Sequence, residues 1–294
     1  MLQELTDGEF IARVQASRTL IGPTDRRIID AIVQDPKAVV EGTVSDLAKR
    51  AGAAQSSVIR ACHSLGYGGF QEMKLTVTRD LARREVTANE NPELTFNGDL
   101  TSDTPPTEII RAIAVKSAET VRTIPDTVSP EAFSAALDAL QQATRIVVVG
   151  NGTSAGSARD ASYRLAMLGR TVSAPSDSRT QQLHSHHLSQ GTVCLVISHA
   201  GSTRETLNAA TAAKDSGATV VALTSFRASP LTDIASIVLV AGGFDYGFRL
   251  EVMASRLAHL AVIDALFVGL ALREPEQSAL ALEAVADIGA RAKL

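Results

Sequence analysis

The sequence has few aromatic residues and few cysteines. Phe, Tyr and Trp make up 4% of its 294 residues, and Trp is absent. This shortage, together with abundant alanine, favours helix-rich packing over a β-sandwich, which depends on aromatic and β-branched residues. The two cysteines, Cys62 and Cys194, lie far apart in the sequence. We interpret them as buried free thiols and expect a cytoplasmic protein.

Long apolar runs are also missing. No uninterrupted run reaches the roughly 18 residues needed to span a bilayer, so we expect no membrane association. The first ten residues, MLQELTDGEF, are acidic and amphipathic. A signal peptide has a basic start and an apolar centre instead, so we expect no signal peptide.

Positive charge is scarce overall but concentrated in one segment. The chain carries a net charge of −4, whereas residues 44–84 contain seven Lys or Arg and three acids, a net charge of +4. The remainder therefore carries −8. A basic segment on an acidic protein indicates an anionic partner for that segment, although many charged helix faces are simply solvated.

The hydrophobic pattern divides the chain into three parts. Residues 1–84 read as short amphipathic helices, and residues 85–105 as a linker rich in Asn, Thr, Asp, Gly and Pro. Residues 106–294 begin with two helices and continue with β-branched runs, RIVVVG, TVCLVIS, TVVALTS and IVLVAG, separated by helical segments. This alternation predicts a Rossmann-like α/β fold, a parallel sheet flanked by helices on both faces.

Two of the predicted strands end in glycines and hydroxyl side chains. GNGTSAG follows one strand, and SHAGSTRE ends another. Ligands of parallel sheets bind beyond the carboxyl ends of the strands, and the helix N-terminus that follows each loop favours anions. The alternative is that the glycines only form turns and the hydroxyls only cap helices. Because the pattern occurs twice, we expect both loops to bind one phosphate ester.

A nucleotide cofactor and a metal are two further possibilities for this region. Gly150, Gly152 and Ala155 match the dinucleotide pattern G-x-G-x-x-G/A. That site also needs an acidic residue at the end of the second strand, and Asp177 comes too late in the chain. Residues 183–189, LHSHHLS, hold three histidines without a nearby cysteine or carboxylate. We therefore expect neither a cofactor nor a metal.

The glycine-hydroxyl loops resemble those of the sugar isomerase (SIS) domain. GNGTS is similar to its first loop, SHAGSTRET to its second, and ASPLTDIASIVL to the segment after its fourth strand. The N-terminal stretch that runs from TDRRIIDAIVQD to LGYGGFQEMK resembles the helix-turn-helix of the RpiR/MurR family of bacterial transcription regulators. SRLAHLAVIDALFVGLAL is similar to the closing helix of that family.

The resemblance implies an all-α helix-turn-helix DNA-binding domain in residues 1–84, a linker in 85–105, and an α/β SIS domain in 106–294. Such a regulator controls genes of sugar metabolism, senses a phosphorylated sugar and has no catalytic residues. It forms a homodimer or homotetramer, which implies a palindromic or repeated operator DNA. Alternatives are a sugar-phosphate isomerase with a helical accessory domain, and an SIS protein that binds another protein. We call the predicted helical domain of residues 1–84 the head; its presence favours the regulator over these alternatives.

The resemblance also implies roles for individual loop residues. Ser154 matches the phosphate hydroxyl of the family's first loop, and Ser198 and Thr203 match the outer hydroxyls of the second. Ala200 stands where the S-x-S-G motif has its second Ser, so one phosphate donor is absent, and Ser202, His199 or backbone amides could compensate. The expected sugar-phosphate site comprises Gly152, Thr153, Ser154, Ser198, His199, Gly201, Ser202, Thr203, Glu251 and His184.

Four of the candidates outside these loops have specific readings. Glu251 matches the carboxylate that SIS isomerases use for proton transfer. In a sensor it would bind sugar hydroxyls instead. The alternative is a surface glutamate whose negative charge stabilises the N-terminus of its helix. His184 would line the sugar pocket. Asp177 and Gln181 match a family Asp and Gln.

The second helix of a helix-turn-helix lies in the major groove, where its first residues meet the base edges. Here that helix begins near Gln55, after Ala54 replaces the family's usual Ser cap. Gln pairs with adenine, and Arg with guanine or phosphate. The alternative is a plain helical bundle for protein contacts. The expected DNA contacts are Lys49, Gln55, Ser56, Ser57, Arg60, His63 and Lys74.

Overall fold

The computed structural model describes residues 8–90, 100–242 and 250–291, with side chains for residues 8–82, 100–242 and 253–288. The helices before the sheet are α1 (Glu9–Ala16), α2 (Pro23–Gln34), α3 (Pro36–Glu41), α4 (Val44–Arg50), α5 (Gln55–Ser64), α6 (Phe70–Glu90), α7 (Pro106–Arg122), α8 (Ile124–Thr127) and α9 (Pro130–Gln142). The sheet region and last helices are β1 (Ile146–Val149), α10 (Ala155–Met167), β2 (Val172–Ser173), α11 (Ser178–His186), β3 (Val193–Ser198), α12 (Arg204–Asp215), β4 (Thr219–Thr224), α13 (Pro230–Ile234), β5 (Ile237–Val240), α14 (Leu250–Arg273) and α15 (Pro275–Arg291).

The described chain divides into two compact units. One contains the residues up to Thr127, with Gly242 and the start of α14 through Ser255; the other contains Val128–Ala241 and the residues from Arg256 onward. Helices α7 and α8 therefore group with the first unit, whereas the sequence pattern placed them with the sheet. The functional domain boundaries stay a prediction.

Helices α4 and α5 form the turn expected of a DNA-binding head. The Thr43 hydroxyl caps α4 by accepting the Asp46 N–H, and the Asp46 carboxylate accepts the Thr43 N–H at 2.9 Å. Helix α5 begins after Ala54, which provides no side-chain cap. Both helices turn apolar residues, such as Leu47 and Val58, into one core. The predicted start of α5 at Gln55 is confirmed.

A buried carboxylate attaches the first helix to this head. Asp80, on α6, is 4% exposed. Its two oxygens accept the Glu9 and Phe10 N–H groups at 3.1 and 2.8 Å. These are donors at the N-terminus of α1, which have no acceptor within their own helix. Asp80 thus caps α1 across a separation of about 70 residues.

Helix α6 is longer than the sequence pattern predicted. It ends at Glu90, so residues 85–90 are helical, although their lack of apolar periodicity predicts a linker. A helix gains one hydrogen bond for each residue it adds, whereas starting it is costly. A helix that is already anchored by its packed first turns can therefore continue through residues without apolar periodicity.

Among the described residues the sheet has five strands, all parallel, in the order β2-β1-β3-β4-β5. Every residue of β1 and β3 is buried, as expected for strands covered on both faces. The predicted α/β fold is confirmed. The edge strand β2 has only two residues, too few for a hydrophobic run to reveal it.

Helix α14 contains a segment long enough to span a bilayer, although no uninterrupted apolar run of that length occurs in the sequence. Residues Met253–Arg273 are long and apolar enough to cross a bilayer by length and composition alone. Buried residues recur every fourth position at Ala258, Val262, Leu266 and Leu270, which is the pattern of a helix packed on a protein core. The core helix of a soluble protein passes the same length test.

Candidate functional site

The two glycine-hydroxyl loops lie side by side at the carboxyl edge of the sheet. We call residues 150–154 the first loop and residues 199–203 the second loop. They follow the paired strands β1 and β3, whose register places Val149 opposite Val196. The chain leaves β1 for β2 on one side and returns to β3 on the other. This reversal is the switch point at which open parallel sheets bind ligands.

The first loop begins in the protein interior and reaches the surface at Gly152 and Thr153. Gly150 is buried, and a Cβ there would lie 2.8 Å from both Ala158 Cβ and the Ser154 carbonyl oxygen, so it has no room for a side chain. Gly152 and Thr153 are exposed. Ser154 is at the start of α10, and its hydroxyl makes no capping hydrogen bond there. A hydroxyl and a helix N-terminus therefore meet at this loop.

The second loop is closed by its own hydrogen bonds. The Ser198 hydroxyl, at the end of β3, accepts the Gly201 N–H at 3.2 Å, and the Gly201 carbonyl accepts the Leu231 N–H at 2.9 Å. Ser202 and Thr203 are exposed at the start of α12, where Thr203 makes no side-chain cap. The Ser198 hydroxyl thus shapes the loop, whereas the other two hydroxyls face solvent.

An amide network joins the first loop to α11 and α12. The Asn151 amide donates at 3.0 Å to both Gln181 Oε1 and Thr206 Oγ1. The amide nitrogen of Gln181 donates to the carbonyls of Gly150 and Pro175, at 3.2 and 2.9 Å. The expected site residues omitted Asn151 and Thr206. Their roles depend on contacts across 30 and 55 residues, which no local motif reveals.

Half-buried His199 is joined through Ser225 to His259, which is buried. Its Nδ1 lies 2.8 Å from Ser225 Oγ, and that oxygen lies 3.2 Å from His259 Nε2. His259 Nε2 also lies 3.0 Å from the Ala241 carbonyl oxygen. Burial, with a contribution from His199, lowers the pKa of His259 to about 4, so this ring is neutral at pH 7. No local motif reveals this contact, because His259 lies in an apolar helix.

The three histidines of residues 184–187 have different surroundings. His184 Nδ1 lies 3.3 Å from Ser173 Oγ, at the end of β2. His186 and His187 are exposed, and their rings meet edge to face with centroids 5.6 Å apart. Within the described ranges, no cluster of three His, Cys, Asp or Glu residues could hold a metal ion.

Two acidic candidates remain, Asp177 and Glu251. Asp177 caps α11 by accepting the Thr180 N–H at 2.8 Å. This bond and the Thr180 hydroxyl hold the pKa of Asp177 below its usual value. Asp177 therefore has a structural role in starting the helix. Glu251 is in the first turn of α14, but its side chain lies outside the described residues.

Four of the expected DNA contacts are exposed on α4 and α5: Lys49, Gln55, Ser56 and Arg60. His63 is also exposed, and its Nδ1 lies 3.1 Å from the Tyr67 carbonyl oxygen at the end of α5. The head therefore presents polar and basic side chains on the helix that is expected to meet the bases.

Ser57 and Lys74 have partners within the head. Ser57 is only 9% exposed, and its Oγ accepts from Arg60 Nη2 at 3.1 Å. The Lys74 ammonium donates to the Gly42 carbonyl at 2.8 Å, at the end of α3. Ser57 is thus placed to orient Arg60, and the Lys74 charge lies near a helix C-terminus, which favours cations.

Comparison with known proteins identifies both parts of the chain. Residues 9–84 match the helix-turn-helix domain of the rpiR family, and residues 139–269 match the SIS domain. An uncharacterized HTH-type transcriptional regulator of Caldanaerobacter subterraneus subsp. tengcongensis is 30% identical over 260 residues. The alignment covers 88% of this chain and 89% of that protein.

Solved structures agree with this assignment. The sugar isomerase domain of an RpiR transcription factor from Sphaerobacter thermophilus is 28% identical with a TM-score of 0.57, covering 61% of this chain and 99% of that one. The Vibrio vulnificus NanR protein complexed with ManNAc-6P shares the fold at 22% identity and a TM-score of 0.58, covering 95% of this chain and 97% of that one. Because both domains match in order and the Caldanaerobacter relative is similar over nearly its whole length, the chain belongs to the RpiR family of helix-turn-helix transcriptional regulators.

Proposed function

We propose that this regulator binds a phosphorylated sugar between the first and second loops, and that the bound sugar changes its affinity for operator DNA. One observation carries the proposal: two glycine-hydroxyl loops follow adjacent parallel strands, and each leads into a helix N-terminus. Two helix termini that meet at one edge offer backbone N–H groups and partial positive charge to a single anion.

The hydroxyls of the two loops would complete the phosphate site. Thr203 is exposed at the start of α12, and Ser154 is buried at the start of α10; neither hydroxyl makes a capping bond to its helix. Ser198 instead keeps the second loop closed. Gly152 leaves an open approach, because no atom lies within 4 Å of the position its Cβ would take. NanR, complexed with ManNAc-6P, is a precedent for this ligand class on this fold.

In the head, α5 would read the major groove of the operator. Gln55 and Ser56, in its first turn, would meet base edges, and Arg60 would contact guanine or phosphate. Lys49, on α4, would contact a phosphate. A homodimer or homotetramer in the cytoplasm would present paired heads, so we expect a palindromic or repeated operator.

A DNA-capture experiment tests the regulatory half of the proposal. The purified full-length protein is mixed with sheared genomic DNA of its source at physiological salt, and the retained DNA is sequenced. Non-specific binding is weak under these conditions, so a few enriched sites with a shared repeat are expected. Arg60→Ala should lose this enrichment. Uniform recovery, or no recovery, would refute operator binding.

Ligand binding is tested by calorimetry with a panel of hexose, hexosamine and N-acetylhexosamine phosphates. The Thr203→Val variant removes a loop hydroxyl at nearly constant volume and should weaken binding of the best ligand. Thr219→Val is the matched control, because Thr219 lies at the start of β4, at the opposite edge of the sheet. Binding without turnover supports a sensor. Steady aldose–ketose conversion that is lost in Glu251→Gln would identify an isomerase instead.

A further inference from the structure

Arg60, in the second turn of α5, is held by a residue of the first turn. Its Nη2 donates to Ser57 Oγ at 3.1 Å. Side chains on a helix lean toward its N-terminus, and this bond fixes that direction for the Arg60 head group. The guanidinium therefore lies beside a residue three positions before its own, which is most of a helical turn closer to the start of α5.

Ser57 is poorly placed to contact DNA by itself. It is 9% exposed and belongs to the buried face of α5, together with Val58 and Ala61. Ser56 and Arg60, in contrast, are exposed. The sequence pattern predicts a direct DNA contact for Ser57, whereas its burial and its bond to Arg60 favour an indirect role.

The charge of Arg60 is available to a partner outside the protein. In the part of the chain that the structure describes, its guanidinium pairs with no carboxylate. Arg50, on α4, differs because it forms an ion pair with Asp35 at 2.6 Å. A guanidinium has several N–H donors, and the bond to Ser57 uses only one of them. The others can still form paired hydrogen bonds with O6 and N7 of a guanine.

We propose that Arg60 reads a guanine edge in the operator, and that Ser57 is the positioning residue that holds its guanidinium for this contact. The inference rests on the proposed function, because it requires the first turn of α5 to meet base edges in the major groove. A phosphate contact needs only a positive charge, whereas paired bonds to a base need a guanidinium of fixed orientation. Ordering a long side chain before binding also lowers the entropy that is lost in the complex.

Modified operator DNA tests the guanine contact. The affinity of the full-length protein is measured for the operator found by DNA capture, with each guanine replaced in turn by 7-deazaguanine, which has carbon in place of N7. We expect one replacement to weaken the wild type about 3- to 10-fold, the typical effect of one lost hydrogen bond, and to have no effect on Arg60→Ala. Arg60→Lys keeps the charge without the paired donors and should also lose this sensitivity. The same sensitivity in the wild type and in Arg60→Ala would refute the guanine contact.

The Ser57→Ala variant tests the positioning role without a change in charge. We expect its affinity for the operator to fall about 2- to 10-fold, the gain from ordering one long side chain. Its affinity for random DNA and its salt dependence should not change, because no phosphate contact is lost. In the Arg60→Ala background the same substitution should have no further effect. Ser64→Ala is the matched control, because it removes a hydroxyl from the last turn of the same helix.

The outcomes separate this inference from the proposed function. Equal operator affinity in the wild type and Ser57→Ala would overturn the positioning role, and so would an equal loss with and without Arg60. Either result leaves operator binding intact. If the wild type enriches no genomic site, operator binding itself fails, and the inference fails with it.

Discussion

The Gly201→Ala variant tests whether the second loop is as constrained as its contacts indicate. Gly201 has a φ of +61°, and a Cβ there would overlap Ser229 Oγ and lie 2.7 Å from Ser229 Cβ. Ser229 cannot move away freely, because its hydroxyl caps α13 by accepting the Thr232 N–H. A left-handed alanine costs about 1–2 kcal/mol, and an overpacked contact costs about 1–3 kcal/mol more. We therefore expect the free energy of unfolding to fall by about 2–5 kcal/mol.

Gly152→Ala separates these two causes. Gly152 has nearly the same φ, +58°, but no atom lies within 4 Å of its hypothetical Cβ. The free energy of unfolding of this variant should fall only by the cost of the left-handed backbone, about 1–2 kcal/mol. Urea unfolding of both full-length variants, followed by circular dichroism because the chain has no Trp, measures the difference. Equal losses in the two variants would refute the argument that Ser229 confines the second loop.

Three further predictions concern the head and α11. Asp80→Ala should lower the free energy of unfolding by about 2–4 kcal/mol, because two buried backbone donors lose a charged acceptor; urea unfolding measures this, and a change below 1 kcal/mol would contradict it. Lys49→Ala should reduce the slope of log affinity against log salt concentration by about 0.9, because one phosphate contact is lost. Gln55→Ala should weaken the free energy of binding to the operator, but not to random DNA, by about 1–3 kcal/mol. Titrations of both variants on operator and on random DNA separate these two effects. The Thr180 N–H lowers the pKa of Asp177 below 3.8, so its stabilising effect is present above that pH and fades in stronger acid. Acid unfolding should show this effect in the wild type and not in Asp177→Asn.

The parts of the fold that the sequence predicted depend on local signals. Buried β-branched runs predict β1 and β3 without knowledge of their neighbours, whereas both Thr43 and Ser45 are possible caps for α4 and the structure shows Thr43 in that role. The first and second loops were also predicted, because glycines and hydroxyls directly follow each strand. In a parallel sheet, adjacent strand ends must meet at the same edge, so local patterns were sufficient to bring the two loops together.

The parts that the sequence did not predict depend on contacts between distant residues or on the extension of a helix beyond its apolar pattern. The role of Asp80 cannot be predicted locally, because its contacts with α1 cross about 70 residues. Ser225 and His259 have no sequence motif, because the contacts that join them to each other and to His199 come from elements distant in the chain. The extension of α6 to Glu90 follows from its anchored start. Burial of Ser57 also escaped prediction, since a serine carries little information about which helix face it occupies.

The hydrogen bonds of the Asn151 amide couple the position of the first loop to that of the second. It belongs to the first loop, and through Thr206 it also holds the first turn of α12, which carries the second loop. A substitution that shifts either loop is therefore transmitted to the other. Stepwise evolution of a new effector preference should then favour positions whose side chains point away from this network, such as Thr153 and Ser202. Relatives with different effectors should differ first at such positions, while the amide and its two acceptors remain unchanged.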